Sequence, residues 1–239
     1  YLDEIAKRSL LATESEKLYK TLFNSISHEL KTPITTIIGA VSSFNDSKIF
    51  ENKNSLTGIV NEINIAAERL HRLVENLLDM ARLESGNLNL KLGWNSIADL
   101  IHSVTERLKN ESKFHKLNIK IDEDIVFRFD YTLLEQAIIN IVHNALAYTP
   151  AGCEITIEGI QQNYNYILNI SDNGNGFSKD ALTKLFTKFY RIPGTKTGGS
   201  GLGLSIAKGF IEAHGGTITA CNKTSGGAVF TIILPIKEK

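Results

Sequence analysis

Two long stretches with helical periodicity occupy the first third of the chain, and they restrict its fold more than any other feature. The apolar residues of the first stretch are Leu18, Leu22, Ile26, Leu30, Ile34, Ile37 and Val41. Those of the second are Leu56, Ile59, Ile63, Ala66, Leu70, Leu73, Leu77 and Met80, followed by Gly86 as a helix stop. A recurrence every three or four positions predicts one stripe along an α-helix. Stripes this narrow cannot be buried fully in one hairpin, so we expect a dimeric four-helix bundle.

The first helix contains a proline in its interior and a histidine close to it. At about 100° per residue, His28 points away from the apolar stripe, and Thr32 lies one turn further along the same exposed face. Pro33 has no N–H, so the carbonyl of Glu29 loses its helical partner and the helix is expected to bend, at a cost of about 3 kcal/mol. A surface histidine beside a tolerated kink is one interpretation. The combination favours a functional role for His28 without identifying it.

Composition excludes several broad classes of function. The chain has 26 basic and 26 acidic residues, so general electrostatic attraction to nucleic acid or to a membrane is not expected. Cys153 and Cys221 are far apart and lack metal-site spacing, which favours reduced thiols in small core positions. No apolar run approaches the roughly 18 residues of a membrane span. The chain begins within a helical pattern, which is typical of a segment of a longer protein.

Between Gly86 and Trp94 the sequence changes from continuous helical periodicity to a mixture of strand-like and helical segments, and a domain boundary is predicted there. Alternating β-branched and aromatic residues predict strands over 116–122, 153–160, 164–172, 217–222 and 228–235. Helical periodicity is present over 131–149 and 201–215. A hairpin turn is expected at Gly226 and Gly227. This pattern predicts an α/β sandwich with helices on one face of a mixed sheet.

Two groups of polar residues in this second region favour ligand binding. Asn140, Asn144 and Tyr148 share one helical face, and two amide oxygens one turn apart can hold a hard cation together with phosphate oxygens. Asp172 ends a predicted strand, and Gly174 and Gly176 allow a tight turn close to a ligand. A carboxylate there can accept a hydrogen bond from an exocyclic amine. Exposed asparagines and an ordinary Asp-Gly turn are the alternative interpretations.

A glycine-rich run before the last predicted helix completes the pattern. Its glycines are Gly198, Gly199, Gly201 and Gly203. Backbone N–H groups at such a helix start can face an anion. No G-x-x-x-x-G-K-[ST] sequence occurs, which excludes the common phosphate-loop NTPase fold. The three groups in this order predict a nucleotide site.

With these motifs, the chain resembles the sensor histidine kinases. The stretch SHELKTP (27–33) is similar to their phosphoacceptor motif. The ATP-site boxes of their GHKL (Bergerat) catalytic domain resemble NIVHNALAYTP (140–150), DNGNGF (172–177), LFTKFYR (185–191) and GGSGLGL (198–204). Within the family, 77–90, Trp94 and the ending 214–235 are most similar to the Kdp-type potassium sensors. The resemblance implies the end of a signalling helix at 1–20, a dimerisation and phosphotransfer domain at 21–88, and an ATP-binding domain at 89–239.

The resemblance also implies roles for residues of the first domain. His28 corresponds to the phosphorylated nucleophile and Glu29 to the base that takes its proton. An adjacent carboxylate is chemically suited to this, because the attacking imidazole nitrogen must be unprotonated. Thr32 completes an E-x-x-T pattern that resembles the family's phosphatase signature. The bend at Pro33 is then expected to present His28 alternately to ATP and to a receiver domain.

In the second domain the resemblance implies binding of ATP and Mg²⁺. Asn140 and Asn144 correspond to Mg²⁺ ligands, and Asp172 to the reader of the adenine amine. Tyr148 corresponds to a wall of the base pocket and Arg191 to the contact with the γ-phosphate. A glycine-rich lid is expected after Phe186 and Phe189, which anchor it. The remaining expected nucleotide-binding residues are Gly174, Gly176, Phe189, Gly199, Gly201, Leu202 and Gly203.

One departure from the family is visible, because Ala147 stands where a basic residue is frequent. Lys188, Lys196 or Lys208 are the candidates to replace that phosphate contact.

The implied function is a two-component kinase that autophosphorylates on His28 and passes the phosphoryl group to an aspartate of a response regulator. Phosphatase activity on that regulator and potassium or osmotic signalling are further expectations. The expected partners are a second copy of the chain and a receiver domain, with no nucleic acid and no membrane contact in this segment. The expected location is the cytoplasmic part of a bacterial sensor anchored in the inner membrane. A GHKL ATPase or serine kinase, and a silent ATP-binding scaffold, remain open as alternatives.

Overall fold

The computed structural model describes residues 26–44, 53–86, 88–193 and 199–236. The expected signalling helix at 1–20, the stripe residues Leu18 and Leu22, and the lid residues Lys196 and Gly198 lie outside the described residues. The described residues form two compact units. One runs through Leu78 and includes 199–200, and the other comprises the remaining residues from Asp79 onward. The predicted domain boundary at 88/89 stays a prediction.

The first unit contains two helices, α1 over 26–43 and most of α2 (Lys53–Glu84). The predicted helical hairpin is therefore present, and α1 continues through Pro33 without interruption. The residues that α1 buries are Glu29, Pro33 and Ala40. Pro33 and Ala40 are seven positions apart, which is two turns of one helix face.

The apolar stripe predicted for α1 coincides only in part with the buried face. Ile34 and Val41 are 41% and 52% exposed, while Ile26, Leu30 and Ile37 are half-buried. The packed face is rotated toward Pro33 and Ala40, so much of the apolar stripe is left outside the hairpin. Further exposed apolar residues are Ile38, Val60, Ile65 and Val74. The prediction that one hairpin cannot bury its apolar faces is confirmed.

The second unit combines a mixed sheet with helices. Its elements are β1 (Gly93–Ser96), α3 (Ile97–Arg107), a short 3-10 helix (Glu111–Phe114), β2 (Lys116–Lys120), β3 (Val126–Phe129), α4 (Tyr131–Tyr148), β4 (Glu154–Gln162), β5 (Asn165–Asp172), α5 (Lys179–Lys184), α6 (Gly203–Ala213), β6 (Thr217–Asn222) and β7 (Ala228–Pro235). The five predicted strands form one sheet in the order β2-β4-β5-β7-β6, parallel only between β2 and β4. β1 and β3, which the sequence interpretation missed, form a separate antiparallel pair.

Helices α4 and α6 pack against each other, and they contact β5 and β6 respectively. Every second residue of β5 and β7 is buried, as expected for a sheet covered on one face. The largest of these residues is Tyr166, and a Cβ on the neighbouring Gly159 would overlap its hydroxyl. Burial, with a smaller contribution from the Asp122 carboxylate, raises the pKa of Tyr166 to about 12. The predicted α/β sandwich is confirmed.

A network of hydrogen bonds connects the start of α4 to the end of α6. The Asp130 carboxylate caps α4 by accepting from the N–H of Leu133 at 3.2 Å, and its second oxygen accepts from the N–H of Lys91 at 2.7 Å. The N–H of Asp130 donates to Nε2 of His214 at 3.0 Å. Nδ1 of His214 then donates to the carbonyl of Phe210 at 2.7 Å. The two helices that carry the candidate nucleotide residues are thereby held together.

Candidate nucleotide and phosphoacceptor sites

A pocket opens between the C-terminal half of α4, the turn after β5 and the start of β7. Its empty volume is about 330 Å³. It is lined by Asn144, Ala145, Tyr148, Thr149, Asp172, Asn175, Gly176, Phe177, Ala228 and Phe230. The structure thus brings together four residues that the sequence interpretation singled out, from segments about thirty positions apart. They are Asn144, Tyr148, Asp172 and Gly176.

The Asp172 carboxylate is oriented by the backbone around it. Asp172 is only 5% exposed. Its Oδ1 accepts from the N–H of Gly174 at 2.8 Å and from the N–H of Ala228 at 3.3 Å. No hydrogen bond to Oδ2 is made by the residues that the structure describes. One carboxylate oxygen therefore fixes the side chain, and the other can accept a hydrogen bond from a ligand in the pocket.

The turn that follows Asp172 is held by residues that the sequence interpretation missed. Oδ1 of Asn222 accepts from the N–H of Phe177 at 2.8 Å, and Nδ2 of Asn222 donates to the carbonyl of Phe177 at 2.6 Å. Nζ of Lys223 donates to the backbone carbonyl of Asp172 at 2.9 Å. No local pattern could have identified these residues, because Asn222 is 45 positions from Phe177. The turn geometry depends on the β6–β7 hairpin.

The start of α6 lies against α4, beside Asn140. A Cβ on Gly203 would be 3.5 Å from Cγ and Oδ1 of Asn140, and Nδ2 of Asn140 is buried without a hydrogen-bond partner among the described residues. Leu202 is the N-cap residue of α6 and provides no side-chain cap. The N–H of Phe189 donates to the carbonyl of Gly201 at 2.9 Å. Asn140, Phe189, Leu202 and Gly203 are thus grouped at one helix N-terminus.

The structure also gives the surroundings of the other residues predicted from the sequence. Gly174 packs against Thr149 beside the pocket. Arg191 follows Phe189 in the same loop and is half-buried, and Gly199 belongs to the first compact unit. Of the lysines considered as substitutes at Ala147, Lys188 pairs with Glu84 at 2.8 Å and Lys208 lies 6.0 Å from the centre of the Phe186 ring.

In the first unit, His28 is exposed on α1 and Glu29 is buried. Oε2 of Glu29 lies 2.9 Å from Nη2 of Arg69 on α2, so the predicted proton acceptor is in an ion pair. The Thr32 hydroxyl is exposed and donates to the backbone carbonyl of His28 at 3.1 Å. His28 and Thr32 share one exposed face, as predicted. The Glu29 carboxylate is directed toward α2, which the sequence did not indicate.

Comparison with known proteins identifies both parts of the chain. Residues 19–86 match the His Kinase A (phospho-acceptor) domain. Residues 129–238 match the histidine kinase-, DNA gyrase B-, and HSP90-like ATPase domain. The chain is 34% identical over 239 residues to the sensor protein KdpD of Clostridium acetobutylicum, covering 98% of this chain and 26% of the relative. It is also 34% identical over 233 residues to KdpD of Escherichia coli K12, covering 96% and 26%.

Solved structures show the same fold. The histidine kinase AdeS of Acinetobacter baumannii superposes with a TM-score of 0.67 at 24% identity, covering 88% of this chain and 98% of that one. A complex of histidine kinase ThkA with the response regulator TrrA gives 0.64 at 24% identity, covering 96% of this chain and 64% of that one. The second unit is therefore an ATPase domain of the histidine kinase, gyrase B and HSP90 class, and a phospho-acceptor domain precedes it.

With both domains present in this order, the chain belongs to the sensor histidine kinases. It spans about a quarter of the length of the KdpD relatives that it matches. Within the described residues, every helix is too short or too polar to cross a lipid bilayer.

Proposed function

We propose that this chain is the kinase core of a two-component sensor, which phosphorylates itself on His28 with ATP. The observation that carries the proposal is that one chain contains both a candidate phosphoacceptor and a candidate nucleotide pocket. The first is an exposed histidine on a helical hairpin, and the second is a pocket with one oriented, ligand-accessible carboxylate at Asp172. An ATPase without phosphotransfer would need only the pocket.

The proposed reaction begins with attack by a ring nitrogen of neutral His28 on the γ-phosphorus of ATP. The bond from that phosphorus to the β–γ bridging oxygen breaks, ADP leaves, and the imidazole loses a proton. Glu29 is proposed to accept this proton. Because Oε2 of Glu29 is paired with Arg69 in the described conformation, the guanidinium competes with this proton for the carboxylate. The phosphoryl group then passes from His28 to an aspartate oxygen of a receiver domain.

ATP fits the pocket chemistry of the second unit. Oδ2 of Asp172 is proposed to accept a hydrogen bond from the exocyclic amine of adenine. Tyr148 is proposed to form a wall of the pocket beside the base. The N-terminus of α6 lacks a side-chain cap and offers backbone N–H groups to the phosphates. Arg191 is proposed to contact the γ-phosphate.

Mg²⁺ is proposed to bind through the amide oxygens of Asn140 and Asn144. The residues fit this ion, because amide oxygens are hard ligands and Asn140 and Asn144 lie one turn apart on α4. A bound Mg²⁺ would neutralise charge on the transferring phosphates. Residues 140 and 144 would supply only part of its coordination, with water and phosphate oxygens completing it.

We further propose that two copies of the chain form the four-helix bundle predicted from the sequence. The exposed apolar residues Ile34, Ile38, Val41 and Val60 support this proposal, because a second hairpin would cover such a face. A receiver domain is the proposed partner of the exposed His28 and Thr32 face, with both phosphotransfer and dephosphorylation occurring there. Potassium or osmotic signalling from a membrane-anchored sensor completes the proposal, in line with the similarity to KdpD.

Phosphate incorporation from γ-labelled ATP tests the central step. We expect label that is lost in acid and stable in base, as for a phosphorus–nitrogen bond, and complete loss of labelling in His28→Gln with ADP binding retained. His71→Gln is the matched control, because His71 is also exposed on this hairpin. Acid-stable label would favour a serine kinase, and release of free phosphate without labelling would favour an ATPase. Equal labelling of His28→Gln would overturn the assignment.

A further inference from the structure

The side-chain hydrogen bonds of Asn222, at the end of β6, have no role in the function proposed above. We infer that Asn222 is a positioning residue for the nucleotide base: its side chain holds the turn after Asp172 in the shape that the pocket requires. The inference rests on the proposed adenine site and adds a residue that contacts the turn lining the pocket without itself lining the pocket or belonging to the ATP-site motifs.

The carboxamide of Asn222 pairs with both backbone groups of a single residue. It accepts from the N–H of Phe177 at 2.8 Å and donates to the carbonyl of the same residue at 2.6 Å. Asparagine can make this paired contact because its side chain carries one acceptor and one donor group in a plane. In a sheet, a residue of the neighbouring strand makes both of these backbone hydrogen bonds. Asn222 therefore takes the place of a paired strand for Phe177, which lies beyond the end of β5.

Phe177 and the residue before it form part of the pocket wall. Gly176 has φ of +66°, and a Cβ there would lie 2.7 Å from Oδ1 of Asn222. The turn therefore lies directly on the Asn222 carboxamide, and glycine at position 176 allows this close approach. A movement of the Phe177 backbone would displace Asn175 and Gly176, which line the pocket with it.

The same hairpin also orients Asp172. Lys223, the next residue, donates from Nζ to the Asp172 carbonyl at 2.9 Å, and the N–H of Ala228 donates to Oδ1 of Asp172 at 3.3 Å. The hairpin turn between them is closed by a bond from the N–H of Lys223 to the carbonyl of Gly227 at 3.0 Å. Asp172 and the turn at Gly176 and Phe177 are thus both held from one hairpin, and Asn222 holds the turn.

Substitution of Asn222 should change nucleotide affinity and base selectivity while leaving the chemical step intact. Loss of two hydrogen bonds to the turn should weaken ADP binding about tenfold in Asn222→Ala, from typical net contributions of such bonds. Selectivity for ADP over GDP should fall as well, because the turn no longer holds the base against Asp172. The rate of His28 phosphorylation at saturating ATP should stay within about twofold of the parent, since among the described residues Asn222 contacts none of those proposed to bind phosphate.

A series of substitutions separates positioning from general stability. Asn222→Ser retains a single hydroxyl and should bind ADP with intermediate affinity. Asn222→Asp keeps the acceptor but places an anionic oxygen against the Phe177 carbonyl, so it should bind at least as weakly as the alanine variant. The matched control is Asn169→Ala. Oδ1 of Asn169 also accepts a side-chain hydrogen bond within the sheet, from the Thr231 hydroxyl at 2.8 Å, but Asn169 does not line the pocket.

The experiment is calorimetric titration of the whole chain with ADP and with GDP, well below the melting temperature of each variant. Amide exchange at Phe177 is followed in parallel and should accelerate in Asn222→Ala and not in Asn169→Ala. Equal ADP affinity and selectivity in the parent and in Asn222→Ala would overturn the inference while the proposed function stands. Equal losses in Asn169→Ala would also overturn it, as a general stability effect. Absence of ADP binding in the parent itself would overturn both.

Discussion

The ion pair between Glu29 and Arg69 allows a quantitative test of the first unit. The Glu29 side chain is 8% exposed and the Arg69 side chain 35% exposed, with 2.9 Å between Oε2 and Nη2. Exposed ion pairs contribute about 0–1 kcal/mol, whereas loss of one member of a buried pair costs about 3–5 kcal/mol. Because one partner is a third exposed, we expect Arg69→Ala to lower the free energy of unfolding by about 1.5–3 kcal/mol.

The measurement is urea unfolding at one fixed protein concentration, because a dimer's apparent stability depends on concentration. Lys109→Ala removes a well-exposed i,i+3 pair with Glu106 and should cost less than about 0.5 kcal/mol. A double-mutant cycle with Glu29→Gln should show coupling, since the two charged groups are in direct contact. A loss for Arg69→Ala no larger than for Lys109→Ala, or additive effects in the cycle, would refute the reasoning.

The same substitution reports on catalysis. If Glu29 takes the imidazole proton, the Arg69 guanidinium competes with that proton for the carboxylate. At a temperature where the variant is fully folded, Arg69→Ala should therefore phosphorylate His28 faster than the parent, while Glu29→Gln should be slower. Slower labelling in a folded Arg69→Ala protein would instead mean that the ion pair itself is part of the active arrangement.

Two further predictions concern the separate activities of the chain. Thr32→Ala should lose most dephosphorylation of the regulator and keep substantial autophosphorylation, because its hydroxyl shares the exposed face with His28 and can orient a water. Thr36→Ala is the control, since Thr36 makes the same hydrogen bond to the carbonyl four residues earlier; equal losses in both variants would reject the role of Thr32. Asn144→Ala should remove Mg²⁺-dependent ATP binding in calorimetry, whereas Asn118→Ala, on the distant edge strand β2, should not. Unchanged Mg·ATP affinity in the Asn144 variant would place the metal elsewhere.

Local patterns in the sequence were sufficient for most elements and for the pocket members. Strands β4, β5 and β7 are eight or nine residues long and rich in β-branched and aromatic residues, which was sufficient to predict them. β1 and β3 have four residues each and are too short to establish a period. Asn144, Tyr148 and Asp172 were found because each lies in a compact motif. Cys221, expected in the core, is exposed near the end of an edge strand.

The tertiary structure decided which groups meet across long separations. The apolar spacing of α1 predicts a helix, but the face that is buried carries Glu29, Pro33 and Ala40 instead of the apolar stripe. Glu29 is buried against Arg69 because α1 and α2 pack together. The sequence around His28 does not predict this ion pair, because Arg69 is 40 positions away. Asn222 meets Phe177 only because β6 and β7 pair at the edge of the sheet. Secondary structure follows from near neighbours in the chain, whereas hydrogen-bond partners follow from packing.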